Sequence, residues 1–241
     1  MRAVFLGATK GMGRALARRM AVRGDALFLL GRDRVDLERS ARDLEVRGGG
    51  GPVGVTFCDL ERPEGFAAAL DAAGDFDTVV VTAGMQAPQE TMESDAALVA
   101  RVLGTNFTNT VLFCEEARRR LLARGGGTLC VFSSVAGERG RKPVLLYGAA
   151  KAGLTRYLEG LDHKFRAAGL RTVCVKPGFV KTGMTAGMTP PPFAGEPDAV
   201  AGTVLAAMDR GQPVVYAPRV WGAVMLGIRL LPRFVMRRIG F

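Results

Sequence analysis

Tyr147 and Lys151, in the stretch Tyr147-Gly148-Ala149-Ala150-Lys151, are four residues apart and on a helix would stand on one face. A phenol gives up its proton at about pH 10 and is a poor base at neutrality. An ammonium one turn away favours the phenolate and lowers that value, which makes a proton donor and acceptor usable near neutral pH. Ser134 lies thirteen residues upstream and Asn106 further back. A serine hydroxyl so placed suits an oxygen on which charge develops. Ser133, its neighbour, would point to the other face of a strand. A Ser–His–Asp hydrolase centred on Ser134 would depend on His163, the only histidine. His163 falls on a polar face of the helix after Tyr147, which argues against that chemistry.

A second constellation opens the chain: Gly7-Ala8-Thr9-Lys10-Gly11-Met12-Gly13, after the apolar run 3–6 and before a helical pattern at 14–23. Strand, glycine turn and helix form the context of a dinucleotide-binding motif. Gly7 permits the tight turn, Gly11 the approach of a pyrophosphate, and Gly13 close helix–strand packing. The helix start then offers unpaired N–H groups to the phosphates. The end of the second strand decides ribose specificity, and there Leu29-Leu30-Gly31-Arg32 has no carboxylate at Gly31. Arg32 offers a planar fork suited to a 2′-phosphate, and Lys10 adds a second cation. Asp33, one step on, reads as the cap of the next helix. The expected cofactor is NADP(H).

These residues must be held by a scaffold, and the pattern predicts one. Apolar runs at 26–30, 53–57, 78–81, 128–132, 172–175 and 214–216 join the first to make seven strands, with helical patterns between them, notably 34–47, 97–124 and 148–168. Near-continuous apolar runs suit parallel strands covered on both faces. Repeated βα units imply an α/β, doubly wound Rossmann fold, a seven-stranded parallel sheet flanked by helices. Ligands in such sheets bind beyond the carboxyl ends of the strands, where the glycine turn, Asp59, Gly84, Ser134 and Pro177 all fall. Gly48-Gly49-Gly50-Gly51-Pro52 reads as a connector, so residues 1–241 form one domain. With 241 residues and 48% hydrophobic content the chain can bury one large core. Cys58, Cys114, Cys130 and Cys174 lack metal-like spacing and read as buried reduced thiols, so no metal is expected and the compartment is expected to be cytoplasmic. The first residues read directly as a strand, without a signal peptide.

Three segments bear on the partner. Residues 178–195, which include Met184, Met188 and Phe193, read as a mobile lid over an apolar substrate. Glu138-Arg139-Gly140-Arg141-Lys142 reads either as a cleft-mouth loop meeting an anionic group or as a solvated loop. The tail, 219–241, interleaves Arg229, Arg233, Arg237 and Arg238 with apolar residues around Trp221. Its apolar run is too short to span a bilayer. Two readings stay open: a basic amphipathic segment lying peripherally on a membrane, or a tail helix packing on the core, the lid or a partner subunit. The balance of 33 basic against 23 acidic residues, +10, favours anionic surfaces. Few aromatics and no recognition motif argue against nucleic acid.

Together these motifs resemble the short-chain dehydrogenase/reductase family over nearly the whole chain. Gly7, Gly11 and Gly13 match its glycine spacing, with Thr9, Lys10 and Met12 between them. Asp59, followed by Leu60, matches its adenine-contacting aspartate, and Thr82-Ala83-Gly84 the end of its N-N-A-G element. Asn106, Ser134, Tyr147 and Lys151 match its catalytic tetrad, and Pro177-Gly178, with Val180 and Thr182, the segment along the nicotinamide. Leu6 replaces the usual threonine and Val81-Thr82 the two asparagines, positions that mainly support the sheet and turn. The resemblance implies an NADPH-dependent ketoreductase with Tyr147 as general acid/base, Lys151 on the nicotinamide ribose, Ser134 on the substrate oxygen and Asn106 positioning a water. It also implies a homodimer or homotetramer. An oxidative alcohol or hydroxysteroid-type dehydrogenase and a non-catalytic NADP-binding protein are the alternatives. From Ser133 onward the chain is similar to a subgroup that includes the keto-sugar reductase half of decaprenylphosphoryl-ribose 2-epimerase, which points to a lipid-like substrate.

Overall fold

Apolar residues alternate between the two sides of each strand, so every strand must be covered on both faces. The computed structural model describes residues 1–240. In chain order the elements are β1 (Arg2–Leu6), α1 (Gly11–Val22), β2 (Ala26–Gly31), α2 (Arg34–Arg47), β3 (Gly54–Phe57), α3 (Phe66–Ala72), β4 (Thr78–Val81), α4 (Gln89–Ser94), α5 (Ala96–Leu103), α6 (Asn109–Ala123), β5 (Gly127–Phe132), α7 (Leu145–Phe165), β6 (Leu170–Pro177), α8 (Pro197–Asp209), β7 (Val214–Ala217), α9 (Val220–Leu230) and α10 (Arg233–Arg238). All seven strands pair in parallel, in the order β3-β2-β1-β4-β5-β6-β7. This is the doubly wound single domain that the alternating pattern predicts.

Each face has its own core. On one side Phe5 and Leu29 meet Leu16 and Met20 of α1, Leu37 of α2 and Val204 of α8. On the other Val4, Leu6 and Val79 meet Phe66, Phe113, Leu121 and Leu158 of α3, α6 and α7. Phe66 and Phe113 pack edge to face at 5.4 Å. Asp33 caps α2 by accepting from the Asp36 N–H at 3.0 Å, the role its position predicts.

The register brings the strand ends together. Leu6 pairs with both Leu30 and Val81, Val81 with Val131, and Phe132 with Val175. The turns after β1, β2, β4, β5 and β6 therefore open along one edge of the sheet.

The single helix expected over 97–124 is not continuous. Residues Gly104–Thr108 form a π-turn between α5 and α6. The extra residue in that turn aims Asn106 at the chain after β4, where its carboxamide binds backbone at Met85. Such π-turns gather at functional sites.

Candidate active site

The glycine turn shapes one end of the site. Gly7 has φ +105°, a conformation that side chains resist. Thr82 donates from its hydroxyl to the Gly7 carbonyl at 2.8 Å, so the residue standing in the place of an asparagine ties β4 to the turn. A Cβ on Gly13 would lie 2.3 Å from the Gly7 carbonyl oxygen and 2.4 Å from Thr82 Oγ1. Because the first obstacle is backbone, Gly13→Ala is expected to cost roughly 2–3 kcal/mol, to lower the thermal midpoint by about 5–10 °C and to abolish dinucleotide binding. Calorimetric scanning and a dinucleotide titration check both.

Beside this turn lies a cleft of about 500 Å³. Its walls include Gly7, Thr9, Lys10, Gly11, Met12, Gly13, Arg32, Asp59, Leu60, Ala83, Gly84 and Thr182, twelve of the positions the sequence nominates for cofactor. Pro177, Gly178 and Val180 do not line it. Pro177 and Val180 are buried, Val180 turning its side chain into the core, and Gly178 lies flat against the Trp221 indole. Sequence reasoning passed over Glu61, Arg101 and Asp36, which do line it.

Those three acids and bases change the electrostatics expected there. Lys10 and Arg32 are not free cations: Lys10 pairs with Asp36 at 3.0 Å, and Arg32 reaches Glu61 at 3.5 Å. Arg101 grips the same Glu61 carboxylate through Nε and Nη2 at 2.8–3.0 Å. Hydrogen bonding from Arg101 holds the Glu61 carboxyl below its usual range. Asp59 does local work, accepting from the Glu61 N–H at 3.0 Å. Spacing could not reveal the Arg101–Glu61 pair, because forty residues separate its members.

Do these walls suit a phosphorylated dinucleotide? The N-cap of α1 is Lys10, whose side chain caps nothing, and no acidic residue occupies the first turn. The first N–H groups of α1 therefore meet the cleft without a protein acceptor, beside glycines that leave the backbone open. The residues fit the group.

The other end holds the nominated tetrad. Asn106 is fully buried. Its Nδ2 donates to the carbonyls of Met85 at 2.7 Å and Val102 at 2.9 Å, and its Oδ1 accepts from the Met85 N–H at 3.1 Å. Gly84 closes the gap to Lys151: a Cβ there would sit 2.8 Å from Asn106 Oδ1 and 3.8 Å from Lys151 Nζ. Lys151, buried, donates from Nζ to the Phe132 carbonyl at 2.8 Å and lies 5.7 Å from the centre of the Tyr147 ring. Ser134 Oγ accepts from the Ala136 N–H at 3.0 Å, and its hydroxyl acts to lower the pKa of the nearby Tyr147 phenol. Ser133 points away, its hydroxyl bound to the Lys151 carbonyl and to Thr155. The structure thus gathers all four tetrad residues near the ends of β4 and β5, beyond Gly84 and Met85 in the cleft wall.

One expectation needs correction here. An ammonium one turn away should lower the Tyr147 pKa, yet burial dominates and pushes it up to about 12, against the opposing hydrogen bond of Ser134. Burial also lowers Lys151 from 10.5 to about 8. The ammonium is held by a carbonyl rather than by the phenol oxygen, so it does not offset the desolvation of the ring.

The loop 138–142 is tied to the tail and to β6, with Gly140 and Lys142 left exposed. Glu138 is buried, bridged to Lys176 at 2.6 Å and Arg229 at 3.0 Å, with the Tyr216 hydroxyl at 3.1 Å. Burial works to raise its carboxyl, but Lys176 and the other donors hold it below the usual range. Arg139 and Lys142 donate to the tail carbonyls of Leu231 and Arg237. The tail is thereby fastened to the segment between Ser134 and Tyr147. Residues 178–195 are fastened too: Val180 and Gly195 form a bridge, and Trp221 Nε1 donates to the Phe193 carbonyl at 3.3 Å.

Comparison with known proteins supports the same picture. The short chain dehydrogenase family model matches residues 2–191. The chain is 35% identical over 239 residues to an uncharacterized oxidoreductase of Mycobacterium tuberculosis (strain ATCC 25618 / H37Rv), covering 98% of this chain and 96% of that protein. It is 29% identical over 244 residues to carbonyl reductase family member 4 of Danio rerio, with 95% and 98% covered. Among solved structures, a short-chain dehydrogenase from Sphingobium yanoikuyae in complex with NADPH is similar at a TM-score of 0.82 and 27% identity, over 99% of this chain and 96% of that one. The match spans both the glycine turn and the Tyr147–Lys151 pair, and on these grounds the chain is an oxidoreductase belonging to the short chain dehydrogenase family.

Proposed function

We propose that the protein is an NADPH-dependent carbonyl reductase acting on an apolar, lipid-like ketone. The observation that carries this reading is the gathering of Tyr147, Ser134 and Lys151 at one strand end, with Lys151 Nζ 5.7 Å from the centre of the Tyr147 ring and Ser134 acting on the phenol. A phenol pushed up to about 12 keeps its proton at neutral pH, which suits donation in the reductive direction. The hydride is the contribution of the bound dinucleotide. Ser134 Oγ holds the substrate oxygen and steadies the charge that develops there. Tyr147 Oη gives that oxygen its proton as the charge appears. Lys151 Nζ, with its carbonyl partner at 2.8 Å, is placed to bind the nicotinamide-side ribose and to return charge balance to Tyr147 after the proton leaves. Asn106 fixes Met85 and Gly84, and so the wall between cleft and tetrad.

Exposed Met184 on the cleft wall and Met188 and Phe193 beyond it support an apolar substrate. Four buried, unpaired cysteines accord with a reducing, cytoplasmic compartment. A homodimer or homotetramer through the helices that bear Asn106 and Tyr147 is part of the reading, supported by exposed Leu112 on α6 and Leu145 on α7.

NADPH oxidation followed over a panel of carbonyl compounds tests the activity, and a panel without turnover would refute it. Cofactor choice has a separate test. With Gly31 offering no carboxylate, Arg32 and Lys10 are the groups for a 2′-phosphate. Arg32→Ala is expected to weaken NADPH binding by about 10–100-fold, the size of a charge-assisted contact, and to leave NADH binding unchanged. Equal affinity of the unaltered protein for the two dinucleotides would refute the preference for NADPH.

A further inference from the structure

The end of the chain turns its apolar side outward. Met225 of α9 is fully buried, and on the same side the Trp221 indole lies against Gly178. The opposite face presents Leu226 at 52% exposed and Leu230 at 76%, and Phe234 of α10, four residues beyond Leu230, is 61% exposed. Only Arg229 breaks the apolar character of the exposed α9 positions, and it is turned to Glu138. An apolar face this continuous on a folded chain marks a contact site.

Charge decides what fits it. No acidic side chain follows Asp209 in the sequence, while Arg210, Arg219, Arg229, Arg233, Arg237 and Arg238 do. Among the described residues only Arg229 of these six forms an ion pair. A second copy docked symmetrically would set the same cations against each other. A partner both apolar and negative satisfies both properties. At 11 residues α9 is too short to cross a bilayer, whereas an apolar face flanked by arginines lies well in the headgroup region.

We propose that α9 and α10 dock the protein on an anionic lipid surface, with Leu226, Leu230 and Phe234 entering the interface and Arg233, Arg237 and Arg238 meeting the headgroups. Docking would set the 178–195 loop, held through Phe193 by Trp221, beside the lipid. The inference does not rest on the reductase reading, and its test has no turnover readout.

The test sediments the full chain with vesicles of phosphatidylcholine alone or with about one-third phosphatidylglycerol. Binding is expected only to the mixed vesicles and is expected to weaken with salt. Changing Arg233, Arg237 and Arg238 together to Gln is expected to weaken it by about 100-fold. Leu230→Ser alone, at the most exposed position, is expected to weaken it by about tenfold. Thermal midpoints equal to that of the unaltered chain show that both variants remain folded. Absence of binding to the mixed vesicles, equal binding to phosphatidylcholine, or unchanged binding by the arginine variant would overturn the proposal. So would a drop in oligomer mass caused by Leu230→Ser, since a second copy would then own this face.

Discussion

Tyr147→Phe is expected to lower turnover by roughly 10³-fold, within the range lost when a positioned proton donor is removed, while NADPH binds with almost unchanged affinity. The substitution keeps the ring, at the start of α7, and removes only the hydroxyl. The nearby Ser134 keeps its Oγ bond from the Ala136 N–H whether or not the phenol is present. Stability should therefore change by no more than about 1 kcal/mol, the net worth of one ordinary hydrogen bond. The cleft that receives the dinucleotide is walled by other residues and stays intact. Steady-state rates set beside a fluorescence titration of NADPH check the separation. Turnover within tenfold of the unaltered protein would remove Tyr147 from the role of proton donor. Loss of NADPH binding would show instead that the hydroxyl serves to hold the dinucleotide and not only to donate a proton.

The parts of this molecule legible in the sequence are those set by short-range rules. Apolar runs alternating with helical patterns gave the seven strands and most of the helices, because a parallel sheet covered on both faces admits few other arrangements. Asp33 could be read as a cap because capping is a matter of three residues. The cleft end of the site followed for the same reason: glycines close to a strand end must lie at the sheet edge. What stayed hidden depends on contacts made across the fold. Glu61 and Arg101 meet over forty residues, and Glu138 joins Arg229 over ninety-one. The loop 138–142 looked solvated because its charges are numerous, yet its partners are a strand lysine and tail carbonyls. The π-turn at Gly104–Thr108 was equally hidden, since its cause is where Asn106 must aim rather than any helix-breaking residue. The pKa of Tyr147 failed for a related reason: spacing supplies the nearby ammonium but not the depth of burial.

That depth gives the last prediction, which concerns Lys151. The side chain is 5% exposed, and its ammonium meets one carbonyl and, among the described residues, no carboxylate. Burial lowers its pKa from 10.5 to about 8, with Cys174 acting weakly the other way. The folded value lies below the unfolded one, so folding is penalised while the group is charged. The penalty is complete below about pH 8 and fades as pH rises from there towards 10.5, because over that window the unfolded chain holds the proton that the folded chain has released. Lys151→Met keeps the length and removes the charge. In dinucleotide-free protein its stability relative to the unaltered chain should fall by about 2 kcal/mol between pH 7 and pH 9.5. Urea unfolding at the two values measures it. Thiols such as Cys174, which burial raises from 9.0 to about 11, weaken both proteins as pH climbs and largely cancel in the difference. The Phe132 carbonyl, left without its donor, costs the variant about 1–3 kcal/mol at every pH and so shifts the offset but not the slope. Activity should disappear even where the variant is the more stable of the two, the trade expected of a residue kept for chemistry at a cost to folding. A difference that does not change with pH would mean that the Lys151 ammonium is solvated and keeps its ordinary pKa in the folded protein, and its assignment to the site would lose its physical basis.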